Sequence, residues 1–191
     1  MDKTQRLFDK NSFAITRGHD FVEINGVKWA TCNLGAENPD DPGLYFRWGD
    51  KKGIYAKDAD ITRIIWARNE DYCPDVWEDD PASVLWGGKW RLPTIDEARK
   101  LLNSCVLFTY KERGRFVFRK DKCEMSLPAG GFIINGNYSN SFRTSYIWTK
   151  DSSELSERFG KCLGAYIHDR RARIGDNGKY IGFNIRPVLG V

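Results

Sequence analysis

The segment Thr94-Ile95-Asp96-Glu97 is the most constraining feature of this sequence. A threonine followed three residues later by a glutamate forms a capping box, in which hydroxyl and carboxylate reciprocally satisfy the orphan backbone donors of a helix start. Behind it, Ile95, Ala98, Leu101, Leu102 and Cys105 recur at the helical period and make a single apolar stripe. Pro93 disfavours a helical conformation at Leu92, so the helix cannot run backwards. A second, shorter helix is expected over residues 81–86: Asp79 or Asp80 can cap it, Pro81 suits its first turn, and Gly87-Gly88 ends it.

The rest of the chain reads as short strands. Phe21-Val22-Glu23-Ile24 and Val27-Lys28-Trp29-Ala30 flank Asn25-Gly26, the dipeptide that supplies positive φ in a two-residue hairpin turn. A further strand is expected over residues 43–48, after the turn-rich Asn38-Pro39-Asp40-Asp41-Pro42. Residues 49–80 are acidic and aromatic without sustained periodicity and read as a long ordered excursion. Strand patterns dominate from residue 106, with a hairpin over residues 115–119 and 123–128 around Asp121-Lys122. Residues 129–134, 146–149, 164–168 and 182–188 follow as strands, with Asn135-Gly136-Asn137 as a turn. The expected class is α+β: two modest helices, short and mostly antiparallel strands, and long loops. Residues 1–19 form an N-terminal arm or short helix, and residues 20–191 form one domain.

Charge locates one region as different. The net charge of +4 comes from 30 basic and 26 acidic side chains; residues 1–140 hold 21 of each, and residues 141–191 hold 9 basic and 5 acidic. So small an excess is far from the clustered basic footprint of a nucleic-acid binder, and none is expected as a partner. No apolar run reaches the roughly 18 residues a membrane-spanning helix needs, and the first residues lack the apolar stretch of a secretory signal.

The chemistry of catalysis is not written in the motifs. Five cysteines (Cys32, Cys73, Cys105, Cys123, Cys162) include no CxxC pair, and His19 and His168 are the only histidines, too few for a structural zinc site. Buried thiols acting as small apolar groups are expected, unless an extracellular setting oxidises one pair. No GxSxG, P-loop, GxGxxG, HExxH or EF-hand spacing occurs. Trp86-Gly87-Gly88-Lys89-Trp90 and Pro128-Ala129-Gly130-Gly131-Phe132 are glycine-rich, but neither joins a strand to a long helix, so tight turns are the expectation rather than phosphate cradles. The acidic clusters Glu78-Asp79-Asp80 and Asp40-Asp41 have calcium-binding chemistry, yet solvated turns or helix caps account for such clusters more often. His168 beside Asp169, and its pairing with Cys162 as a nucleophile, are weighed against an ordinary strand histidine, which is favoured. No catalytic residue, metal or cofactor is assigned.

Several segments in order resemble a known family. Val27-Lys28-Trp29-Ala30-Thr31-Cys32-Asn33-Leu34-Gly35-Ala36, Tyr45-Phe46-Arg47-Trp48-Gly49-Asp50 and Trp86-Gly87-Gly88-Lys89-Trp90-Arg91-Leu92-Pro93-Thr94 come first. Leu127-Pro128-Ala129-Gly130-Gly131-Phe132, Tyr146-Ile147-Trp148-Thr149 and Gly182-Phe183-Asn184-Ile185-Arg186-Pro187-Val188 continue the series. Their order over residues 20–188 resembles the Fibrobacter succinogenes major paralogous domain of Bacteroidetes and their phages. That resemblance implies a C-type lectin-like fold of the formylglycine-generating-enzyme-like branch, with six of the seven tryptophans, all before residue 91, stapling core and loops.

Function does not follow from fold. Enzymatic relatives of that fold use a reactive cysteine pair or a histidine-ligated iron; Cys162 has no near partner in sequence and there are two histidines, so neither site carries over. Calcium-dependent sugar binding is disfavoured as well, because Glu37-Asn38-Pro39 departs from the EPN signature in order and position and Trp148-Thr149-Lys150 has lysine where WND has an acid. The resemblance fits better with variable proteins of diversity-generating retroelements, which display a ligand-binding surface near the C-terminus, at a cell surface or on a virion. It implies a non-enzymatic recognition module whose candidate ligand-binding residues are Lys150, Asp151, Ser152, Ser153, His168, Arg170, Arg171, Arg173, Asp176, Asn177 and Tyr180. A solvated strand-loop-strand surface is the plainer alternative for each of them. The partner is an unidentified protein or glycan, and the arginines favour an acidic one, since guanidinium pairs bidentately with carboxylates. Two alternatives remain open: a metal-dependent or oxidase-like enzyme of the same fold, and a structural subunit of a surface or virion assembly.

Overall fold

The computed structural model describes residues 19–66, 72–111 and 114–190. The expected arm over residues 1–19 lies outside these except for His19, whose ring stacks on Trp86 with centroids 3.9 Å apart.

Local turn chemistry sets the first hairpin. β1 (Phe21–Ile24) and β2 (Val27–Ala30) pair antiparallel through Asn25 and Gly26, at φ 52° and 76°, as a two-residue turn with both φ positive requires. β2 then pairs with β14 (Val188–Leu189), and β14 with β5 (Trp90–Arg91), in the sheet order β1-β2-β14-β5. The expected strand over residues 43–48 is shorter: β3 (Leu44–Tyr45) pairs with β4 (Ile54–Tyr55), and Phe46 bridges to Phe183. What ends it is tertiary, because the Phe46 N–H and C=O both bond to Phe183, at 2.8 and 3.0 Å.

Among the described residues three α-helices stand where two were expected. Part of the excursion forms a 3-10 helix (Ala56–Ile61) that runs into α1 (Thr62–Ile65). α2 (Pro81–Trp86) is capped by Asp80, whose carboxylate accepts from Ala82 N at 2.9 Å and, from across the loop, from Leu92 N at 2.8 Å. α3 (Ile95–Ser104) carries the expected capping box: Thr94 Oγ1 accepts from Glu97 N at 3.1 Å, and Glu97 Oε2 accepts from Thr94 N at 2.8 Å.

Three antiparallel sheets follow. β6 (Val106–Tyr110), β7 (Arg115–Lys120) and β8 (Cys123–Pro128) form one, with Asp121 at φ 54° in the expected turn. β9 (Phe132–Ile134) and β10 (Asn137–Ser139) form a second, turned by Asn135-Gly136. β11 (Thr144–Ser152), β12 (Phe159–Tyr166) and β13 (Arg171–Gly178) form the third, in that order, with β13 at the edge. β12 thus begins five residues before the expected 164–168 strand and ends at Tyr166, leaving Ile167 and His168 in the turn.

The third sheet divides two apolar cores. One face carries Ile147, Leu163 and Ala165 onto α3 (Ala98, Leu101) and onto Phe116 and Phe118 of β7. The opposite face carries Trp148 and Cys162 onto Trp48, Trp90 and Phe183. Of the tryptophans, Trp29, Trp48, Trp90 and Trp148 are at most 1% exposed and Trp66 is 5% exposed, while Trp77 and Trp86 are half-buried at the rim. The cysteines depart in part from expectation: all five are free, and only Cys162 is fully buried.

Candidate recognition surface

The eleven candidate residues lie on or beside the β11-β12-β13 sheet, but they do not form one patch. Tyr166 pairs with Arg171 at one end of the ladder and Gly160 with Asn177 at the other. Six positions of extended chain separate the ends, roughly 20 Å.

At the far end most side chains serve the fold. Asp151 Oδ2 accepts from Ile95 N at 2.6 Å, adding a second carboxylate at the start of α3. The Ser152 hydroxyl donates to the Phe159 carbonyl at 3.4 Å, and Ser153 Oγ accepts from Leu155 N at 3.0 Å. Asp176 pairs at 3.3 Å with Lys161, which also reaches Glu154 at 2.6 Å. The Asn177 amide donates to Cys162 Sγ at 3.1 Å. Burial pushes that thiol up to about 12, and the Asn177 contact only partly opposes the shift, so Cys162 is a neutral core group at neutral pH. Tyr180 is half-buried against Gly178, and Lys150 is exposed.

The near end is different. His168 is 99% exposed at the β12–β13 turn, with Nδ1 3.0 Å from Asp169. Arg170 follows at φ 50°, an uncommon backbone for a side chain of that size, and Arg171 and Arg173 lie exposed on β13. Among the described residues none of these three guanidiniums forms a salt bridge. Arg173 lies over the Tyr166 ring, 4.7 Å from its centroid, where the ring quadrupole orients the cation without neutralising it.

Residues that the motif reading missed support this end. Tyr166 meets Tyr146 edge-on at 5.8 Å, and Tyr146 stacks on Phe183 at 4.5 Å. Burial, and then the Tyr166 hydroxyl, push the Tyr146 phenol well above its usual range. Gly164 makes room for the pair, since a Cβ there would sit 2.8 Å from the Tyr166 hydroxyl oxygen. Beside the arginines is a cavity of about 360 Å³, with Leu102, Cys105, Leu107, Phe118 and Ala172 on its apolar side and Asp169 and the three arginines at its mouth. One sequence signal pointed here: Arg171-Ala172-Arg173-Ile174 alternates with period two, the mark of a strand with one charged face.

The acidic clusters act as structure. Asp80 caps α2, Asp79 pairs with Lys51, Asp40 pairs with Arg115, and Asp41 accepts from Gly43 N. Among the described residues no three His, Cys, Asp or Glu side chains gather as a metal site, and no helix is long and apolar enough to cross a membrane. No protein-family model, curated protein or solved structure matches the chain.

Proposed function

We propose that this chain is a non-enzymatic recognition module with a C-type lectin-like architecture, and that it binds an acidic protein or glycan through the β12–β13 end of its third sheet. The observation that carries the reading is the set Arg170, Arg171 and Arg173: exposed, without carboxylate partners among the described residues, and held on a backed strand and its turn. Arginine and tyrosine are among the residue types enriched at the energetic centre of interfaces, and Arg173 lies against Tyr166. The order of tryptophan and glycine segments along the chain supports the architecture, and the resemblance those segments carry extends to retroelement-diversified proteins. A reverse transcriptase gene and a near-copy of the 3′ coding region beside this gene, differing at adenines, would strengthen that kinship.

The test is a glycan and acidic-peptide array probed with the native chain and with Arg170→Gln/Arg171→Gln/Arg173→Gln. The triple variant should keep the native far- and near-ultraviolet circular dichroism and lose the hits; hits retained in full would overturn the reading.

A further inference from the structure

The β13 strand has an outer edge that pairs with no described strand, and the register shows which groups it offers. In β11 the Trp148 N–H donates to Asn184 O at 3.0 Å and the Tyr146 carbonyl accepts from Asn184 N at 3.2 Å, so both residues turn their backbone away from β12. Tyr146↔Gly164 and Trp148↔Cys162 are therefore non-hydrogen-bonded pairs, and Gly164 and Cys162 direct their backbone groups to β13, opposite Arg173 and Gly175. By alternation, Arg171, Arg173 and Gly175 bond to β12 while the N–H and C=O of Ala172 and Ile174 point outward. No described residue bonds them.

Side chains alternate in the same way. Ala172 and Ile174 pack against the first core, so Arg171 and Arg173 stand on the opposite face. Ala172 also lines the cavity. Its apolar side is the part-exposed rim of that core, where burial raises the Cys105 thiol above its ordinary range. A free ladder, an apolar hole in line with Ala172 and two cations flanking it each specify one property of a ligand.

We infer that β13 accepts an extended segment of a partner polypeptide as a fourth strand, with the pattern acidic-apolar-acidic. The apolar side chain lies opposite Ala172 and enters the cavity; the flanking carboxylates lie opposite Arg171 and Arg173, at cross-strand distance on the other face. This rests on the recognition reading above and gives the partner's chemistry: a strand-forming acidic peptide in place of a glycan. Period-two spacing is essential, because in a segment with its charges adjacent one carboxylate falls opposite Ala172, on the face of the cavity's apolar rim, and one of the two arginines loses its partner.

The probes are three peptides: acetyl-Thr-Glu-Val-Glu-Val-Thr-amide, its reordered form acetyl-Thr-Glu-Glu-Val-Val-Thr-amide, and the alternating peptide N-methylated at the central valine and the residues flanking it. With the native chain, the readout is the iodoacetamide alkylation rate of Cys105, followed by peptide mass mapping alongside the other four cysteines. The alternating peptide should slow Cys105 alkylation at least about tenfold at saturation, through exclusion of the reagent from the filled cavity, and leave Cys73 unchanged. The reordered and N-methylated peptides should not. Arg171→Gln/Arg173→Gln should weaken the alternating peptide by about tenfold or more, the scale of losing charge-assisted contacts. No protection, equal protection by the N-methylated peptide, or equal protection by the reordered peptide would each overturn strand addition. Array hits that vanish in the triple variant while Cys105 stays unprotected would leave the recognition reading standing and remove this one; hits that persist in the triple variant would remove the reading itself.

Discussion

Arg186 and the pair Arg171 and Arg173 are the same residue type under opposite constraints. Arg186 is 0% exposed in the second core's wall. Its Nε donates to Asn33 Oδ1 at 2.8 Å, and its Nη1 donates to the carbonyls of Ala30 at 3.0 Å and Thr31 at 2.8 Å. Burial drags its guanidinium down to about 10, because no carboxylate offsets the loss of water. Arg171 and Arg173 keep their water and donate to no carboxylate. A buried arginine bonded to three acceptors from the β2 region is a structural clamp that holds the C-terminal segment to the first hairpin. Exposed arginines on a backed edge strand are available to something outside the chain. Position in the fold, not residue type, separates scaffold from surface.

That contrast can be broken at several points. Arg186→Leu should cost the most, about 3 kcal/mol or more, because it strands three buried acceptors at about 1–3 kcal/mol each; urea denaturation followed by tryptophan fluorescence measures it. A loss under 1 kcal/mol would show that the clamp does not hold the ends together. Asp80→Ala removes the acceptor for Ala82, Ser83 and Leu92 N–H groups and should cost about 1–2 kcal/mol in the same assay.

Glu97 sharpens the comparison through pH. Burial opposes its ionisation, but the Arg91 contacts at 2.6 and 2.9 Å and the Thr94 N–H outweigh that and hold the carboxyl below its usual range. A folded-state value below the unfolded one means that the stabilisation is present above the ordinary carboxylate range and is lost as pH falls through the folded value. Glu97→Gln should therefore be less stable than the native chain at neutral pH and should lack that part of the acid loss; parallel urea titrations at neutral and acid pH check both. Arg171→Gln and Arg173→Gln should have the smallest effect on folding, within about 0.5 kcal/mol each.

What could be read from the sequence follows the range of the interaction involved. The Asn25-Gly26 hairpin, the Thr94/Glu97 box and the Asp80 cap are decided by residues within four positions of one another, and each forms as its local pattern implies. Three features depend on pairing across the chain: the early end of β3, the bridge of Phe46 to Phe183 that causes it, and the full length of β13, of which the sequence signals only the short Arg171–Ile174 alternation. β13 is polar, carries Gly175 and Gly178, and owes its extended form to β12 rather than to its own propensity. For the candidate surface, residue type identified the arginines correctly as exposed, while only the register could show that Lys150, Asp151, Ser152 and Ser153 sit a sheet-length away from them. The cavity beside Ala172 joins α3, β6, β7, β12 and β13, five elements that no linear pattern connects.

The most direct measurement is residue-resolved amide hydrogen exchange over β13, with and without the alternating acidic peptide. In the free chain the Ala172 and Ile174 amides should exchange much faster than those of Arg173 and Gly175, and the peptide should slow Ala172 and Ile174 while leaving their neighbours unchanged. Equal protection of all four amides in the free chain, or no change at Ala172 and Ile174 with peptide bound, would contradict a free edge that recognises a strand.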